Sequence, residues 1–179
     1  MVVVFGKSLE RHRPWPASAT IGTEFLSRTG SEQRLLSGIK EISGTLNPGL
    51  DYAGEASLTK KFSFGDTVVA KYDGKACGFS IVHTVMRREE MRGCAVRCLG
   101  VRPGYTDIVL EELLAAAEDF AAEAGAPEIL IPAPGTRRRA LDVLMSRGYV
   151  VTQTLERMMW MGSSGLTSST GDNLCSWSG

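Results

Sequence analysis

The feature that most constrains the fold is the stretch from Cys94 to Gly125, CAVRCLGVRPGYTDIVLEELLAAAEDFAAEAG, which feeds an apolar run of strand length into a long amphipathic helix. Cys94 to Val101 reads as the strand, Arg102 to Tyr105 as a short Pro-Gly loop, and Thr106 or Asp107 as the helix N-cap. Ile108, Leu110, Leu113, Leu114, Ala117, Phe120, Ala121 and Ala124 recur at near-helical spacing, which predicts one buried face. Glu111, Glu112, Glu118, Asp119 and Glu123 are then expected in solvent, and Gly125 closes the helix. The first-turn amides of a helix lack intrahelical partners and its dipole points back at the loop, so such a junction is able to hold a phosphate.

Around this stretch the remaining elements follow from pattern. Thr67–Tyr72 and Ala76–Val85 are β-type runs separated by Asp73-Gly74-Lys75, a hairpin signature. The charged segment Arg87 to Glu90, ending at Gly93, reads as a solvated turn into the Cys94–Val101 strand, completing an antiparallel meander. Glu128–Ile131 is a short strand that, reached through a helix, pairs parallel with the central strand. Thr136 to Arg147 reads as a helix with Ala140, Leu141, Leu144 and Met145 inside, followed by a strand from Tyr149 to Trp160. Upstream, Thr29 and Glu32 form a capping box before a helix whose Leu35, Leu36, Ile39 and Ile42 share a face until Gly44. Ala56 to Phe64 alternates weakly, as a poor strand or a loop. The expected organisation is an extended or poorly ordered lead-in over 1–28, a domain over 29–161, and a flexible Gly/Ser-rich tail over 162–179.

Charge and cysteine content narrow the partners. Lys plus Arg and Asp plus Glu number 20 each, so no global field draws the chain to nucleic acid or to an anionic membrane. No run of eighteen apolar residues occurs, and the opening MVVVFGK carries its charges after the apolar run, the reverse of a secretory signal, so a cytoplasmic location is expected. Cys77, Cys94, Cys98 and Cys175 lack the paired spacing of a metal site. Cys94 and Cys98 are expected on one face of one strand, too far apart to bond, so no metal and no disulfide is predicted.

The segments GDTVVAKYDGKACGF, CLGVRPGY followed by EELLAAAEDFAAEAGAPEILIPA, and ALDVLMSRGYVV, in this order, resemble the GCN5-related N-acetyltransferase superfamily over residues 65–160. The resemblance implies an α/β fold with a mixed, mainly antiparallel sheet flanked by helices. It also implies acetyl-CoA or another acyl-CoA as cosubstrate, its pantetheine along a splayed central strand at Leu99, Gly100 and Val101 and its pyrophosphate at the loop of Gly104, Tyr105 and Thr106. The second substrate would be an amine-bearing small molecule or protein. Two motif positions differ from the family: Gly104 is the one glycine of the pyrophosphate loop, and Leu144 stands where the family often has a tyrosine acid. The chain also resembles the C-terminal lobe of a tandem acetyltransferase, which implies a homodimer or pairing with a second lobe.

His83 and Tyr105 are the candidate catalytic residues. A neutral His83 imidazole could take a proton from an amine near neutral pH, against the plain alternative of a structural strand histidine. Tyr105 is placed to reach a CoA phosphate or to act as acid. Arg137, Arg138 and Arg139 stand in a first helical turn, where cations oppose the dipole. That placement reads either as a solvated helix start or as an anion partner, Arg137 and Arg138 then lying near the anionic half of CoA. Two functions follow: acyl-CoA-dependent N-acyl transfer to an amine, or a catalytically inactive binding or domain-pairing module of the same fold.

Overall fold

Asp73 and Gly74 both take positive φ, 48° and 71°, the backbone that a two-residue hairpin turn requires. Across it β3 (Gly65–Tyr72) folds back on β4 (Lys75–Arg87), and β4 pairs antiparallel with β5 (Glu90–Val101). The computed structural model describes residues 1–14, 16, 18–46, 49–87, 90–155 and 173–175, with the backbone alone at 86–87, 90–91, 106–107 and 173–175. The strands on either side of the expected charged turn are longer than predicted: Arg87 pairs with Glu90 and Met86 with Met91, so that only residues 88–89, outside the described residues, remain between them.

After β5, α3 (Thr106–Glu123) crosses over to β6 (Glu128–Pro134), which lies parallel to β5. The expected parallel pairing through a helix is thus present. Gly125, with φ of 74°, ends α3 as expected, and Ala126 N–H donates back to the Ala121 carbonyl at 2.9 Å. The chain then forms α4 (Arg138–Ser146) and β7 (Val150–Leu155).

Residues 1–28, read as an extended or poorly ordered lead-in in which Val2 to Phe5 could still be a strand, are ordered into strands. They hold β1 (Val2–Ser8) and β2 (Ile21–Phe25), and β1 runs antiparallel between β6 and β7. A β-branched run such as Val2-Val3-Val4-Phe5 suits a strand with neighbours on both edges, and Phe5 is 2% exposed. The full order is β2-β3-β4-β5-β6-β1-β7, with a short β8 (Asn173–Cys175) paired to β5. Expected as part of a flexible tail, 173–175 therefore join the sheet; the rest of 156–179 lies outside the described residues.

Two cores cover the two faces. On one side α1 (Glu32–Leu46) and α2 (Tyr52–Lys61) pack Leu35, Ile39, Ile42, Leu46 and Ala56 against Val69, Phe79, Ile81 and Cys98. On the other, α3 and α4 pack Leu110, Leu113, Leu114, Ala117 and Leu144 against Val68, Val82, Val96, Leu99 and Ile131. α2 corrects the reading of Ala56–Phe64 as a strand or loop. Asp51 accepts from Gly54 N–H at 2.8 Å, Glu55 stands in the first turn and Lys60 and Lys61 in the last, all of which favour a helix. Thr29 does not cap α1; its hydroxyl accepts from Ser31 N–H at 2.9 Å and donates to Glu24, while Glu32 pairs with Lys60.

The helical faces shift slightly from the pattern. Ile108 and Met145 are exposed where burial was expected. Glu118, expected in solvent, is 2% exposed and receives Arg147 Nε at 3.2 Å, Arg147 Nη2 at 3.1 Å and Lys7 Nζ at 2.8 Å. Glu112 is buried as well. α3 starts with Tyr105, not Thr106 or Asp107, as its N-cap, and α4 starts with Arg137.

Candidate active site

The site begins with a bulge in β5. Val82 pairs with Val96 but Ile81 pairs with Cys98, which leaves Arg97 as the extra residue. An extra residue reverses the side-to-side alternation of a strand, so Cys94 and Val96 face the α3 core whereas Cys98 faces the α1/α2 core and Leu99 returns to α3. This corrects the expectation that Cys94 and Cys98 share a face. The bulge also marks where β5 leaves β6: among the described residues their pairing is confined to Cys94↔Ile129 and Ala95↔Leu130. From there toward Val101 the two parallel strands are unpaired, and the cleft this leaves along β5 holds the short strand β8 opposite Cys98–Gly100.

At the far end of that cleft, Val101 leads through Arg102-Pro103-Gly104 to the start of α3, with Gly104 at φ 91°. Leu99, Gly100 and Val101 end β5, and Gly104 and Tyr105 follow in the loop before the backbone of Thr106 opens α3. Arg102 Nε is buried without a hydrogen-bond partner among the described residues, while its Nη2 meets Glu41 at 2.8 Å. Beside the loop a groove of about 540 Å³ is lined by Arg34, Glu41, Lys71, Lys75 and Arg102 among others. First-turn amides, a left-handed glycine and an excess of cations are features suited to a pyrophosphate. Sequence reasoning found the loop but missed these cations, which come from α1 and both strands of the hairpin. Arg137 and Arg138 begin α4 directly after β6, at the same end of the sheet as the loop, because β5 and β6 are parallel.

At the bulge end stands a second group of residues. His83 on β4 lies opposite Ala95 and is half-buried, with the Phe64 ring edge-on at 4.8 Å. Its Nε2 is 3.0 Å from Thr59 Oγ1, and that hydroxyl donates its single proton to the Glu55 carbonyl at 2.9 Å. With the Thr59 hydroxyl donating to the Glu55 carbonyl, its oxygen accepts from His83 Nε2–H, and in that arrangement Nδ1 carries the free lone pair. Burial lowers the His83 pKa below 6.5; the Glu55 carboxylate opposes this and Arg97 reinforces it. Arg97 Nε donates to Glu55 Oε1 at 2.8 Å, so the bulge residue is tied to α2. Thr59, Glu55 and Arg97 were not found from sequence, although the Asp51 cap was the signal that would have placed two of them on one helix face.

Tyr105 does not join this group. It is 38% exposed, and its ring packs 5.7 Å from Tyr72 at the hairpin end. Six residues of strand separate Ala95, opposite His83, from Val101, roughly 20 Å. His83 and Tyr105 thus belong to opposite ends of the cleft. The other hydroxyl and thiol groups nearby are withdrawn. Leu144 is fully buried; burial and the Glu118 carboxylate hold the Tyr149 phenol well above its ordinary range; and burial pushes the Cys94 thiol up to about 11. Cys98 is 1% exposed, consistent with core packing.

A mixed sheet that splays at a bulge, with a glycine loop and helix N-terminus closing the cleft, defines a class: the chain has the fold of the GCN5-related N-acetyltransferases. An aminoglycoside N-acetyltransferase, AAC(6')-Iy, in complex with CoA superposes with a TM-score of 0.64 at 15% identity, over 82% of this chain and 99% of that one. An aminoglycoside acetyltransferase from an uncultured soil metagenomic sample, in complex with sisomicin, gives 0.59 at 15% identity over 80% and 97%. A GCN5-related glucosamine N-acetyltransferase region of a fungal multi-domain β-N-acetylglucosaminidase gives 0.62 at 14% identity, over 84% of this chain and 19% of that one. No protein-family profile and no curated protein matches the sequence. No described helix is long and apolar enough to cross a membrane.

Proposed function

We propose that this chain transfers an acyl group, acetyl in the simplest case, from acyl-CoA to a primary amine. The observation that carries the reading is the divergence of β5 from β6 at the Arg97 bulge, which opens a cleft leading to the loop and the α3 N-terminus. Likeness in fold to an acetyltransferase in complex with CoA supports it. Leu99, Gly100 and Val101 would line the pantetheine arm. The Gly104–Thr106 backbone, with Arg102 and the groove cations, would hold the pyrophosphate, and Arg137 and Arg138 would lie toward the anionic half.

In this reading His83 Nδ1 takes a proton from the acceptor amine, directly or through water, and the amine nitrogen attacks the thioester carbonyl, polarised by a backbone N–H of β5. The C–S bond breaks and the CoA thiolate takes its proton from water, because Tyr105 is at the other end of the cleft and Leu144 has none to give. His83→Ala should lower turnover about a hundredfold while leaving CoA affinity unchanged, and undiminished turnover would remove His83 from the mechanism. Calorimetry on Arg137→Ala/Arg138→Ala with CoA and its 3′-dephospho form separates the arginine roles: unchanged binding of both makes them a solvated helix end.

A non-catalytic module is the second reading, favoured by the single loop glycine and by the pairing of β8 along β5. Acetyl-CoA at about 100 times its dissociation constant should add about 2.7 kcal/mol of stability to a binding-competent chain. A melting temperature unmoved by millimolar acetyl-CoA favours the module.

A further inference from the structure

The splay of β5 from β6 creates a row of peptide groups that need partners. One edge of β5 is paired with β4 throughout, including Ser80↔Leu99 and Phe79↔Gly100. The opposite edge loses β6 after Ala95. β8 takes the vacated edge: Cys175, Leu174 and Asn173 stand opposite Cys98, Leu99 and Gly100 in antiparallel register, and β8 also touches β6 across the cleft. Buried N–H and C=O groups are costly when unpaired, so an edge at the bottom of a cleft selects an extended ligand that presents donors and acceptors in sequence. Polypeptide in a β conformation is such a ligand. The face of the strand is already filled, since a Cβ on Gly100 would meet Leu46 and Phe79 side chains at 2.8 Å; recognition on this segment is left to the backbone edge.

We propose that the edge of β5 at Cys98–Gly100 is a peptide-binding site whose occupant is the chain's own Asn173–Cys175 strand, and that this strand must leave before an acyl-CoA enters the cleft. The second half rests on the acyltransferase reading, because the amide-bearing arm of CoA would use the same edge; the first half does not. The device is competitive. If the strand is seated about nine-tenths of the time, apparent CoA affinity is about tenfold below that of the open cleft.

The test uses the full chain carrying Leu174→Pro, since proline has no N–H and does not continue a ladder. Three measurements are made: hydrogen exchange at the Cys98–Gly100 amides, titration with a synthetic peptide spanning residues 171–177, and calorimetry with CoA. The expected result is fast exchange at those amides in the variant and slow exchange in the parent, binding of the peptide by the variant with protection restored, and CoA bound about tenfold more tightly by the variant until the peptide is added. Equal exchange in both proteins with no peptide binding overturns the inference. Peptide binding without CoA binding in either protein sinks the acyltransferase reading and upholds the peptide site. Equal CoA affinity in both proteins, indifferent to the peptide, upholds CoA binding and overturns the claim that the strand must leave first.

Discussion

His83 and Glu118 are two buried ionisable residues whose surroundings set opposite demands. For His83 burial disfavours the charged form and depresses its pKa below 6.5, while Thr59 stands 3.0 Å from its Nε2. Its proton is therefore bound more tightly by the unfolded chain, so its contribution to stability is full above pH 6.5 and is lost as pH falls through the lowered folded value. The urea midpoint of the parent should drop more between pH 7 and pH 5 than that of His83→Gln, and parallel curves would contradict the assignment. Thr59→Val leaves the Nε2–H without its acceptor, at a cost of about 1–3 kcal/mol. Nitrogen NMR of labelled histidine should show the Nε2–H form in the parent; the Nδ1–H form would refute the base role of Nδ1. Glu118, by contrast, is 2% exposed and accepts from both Arg147 and Lys7, and Arg147 is itself 8% exposed. Removing one partner strands a buried charge, so Arg147→Ala should cost about 3–5 kcal/mol in chemical denaturation. A loss under 1 kcal/mol would show that water replaces the pair.

Elements here were legible to the extent that their signals are local. The Asp73-Gly74 hairpin, the strand-loop-helix from Cys94 to Gly125 and the parallel return at Glu128 all announce themselves within a few residues. α2 also had local signals, but Leu58, Phe62 and Phe64 imitated strand alternation; all three are in fact exposed, with the Phe62 and Phe64 rings stacked at 6.3 Å. The bulge at Arg97 left no such trace, because it exists only as a mismatch in count between β4 and β5, and with it went the faces of Cys98 and Leu99. At the candidate site the loop after β5 and His83 were therefore legible, whereas Glu55, Thr59 and Arg97 around His83 were not. How closely α3 is seated on β4 is readable at Gly78, where an added Cβ would meet Val109 Cγ1 at 2.7 Å and Leu113 Cδ1 at 2.9 Å. Gly78→Ala should destabilise by about 1–3 kcal/mol through displacement of α3. If α3 also orients the loop, CoA affinity should fall with it, and a stable variant would mean that the helix has room to move.

For the whole molecule, the two cores are joined through one sheet, the net charge is zero, and among the described residues no helix is long and apolar enough to cross a membrane. The least legible feature was β1. Its partners, β6 and β7, are distant in sequence, and pattern within residues 1–28 does not say where a strand will dock. Phe5 sits in the larger core, so Phe5→Ala should cost about 3–5 kcal/mol, and a mild effect would mean that β1 is dispensable to the sheet. The place of β1 has a temporal consequence. Val4 leaves the ribosome long before Pro132 and Gln153, the residues it will stand between, have been made. β1 is thus obliged to wait, apolar and unpaired, until both of its neighbours have followed, and loops that long close slowly. The β6-β1-β7 side of the sheet is complete only once Val150–Leu155 has been made, so the greatest exposure of β1 to aggregation falls during synthesis.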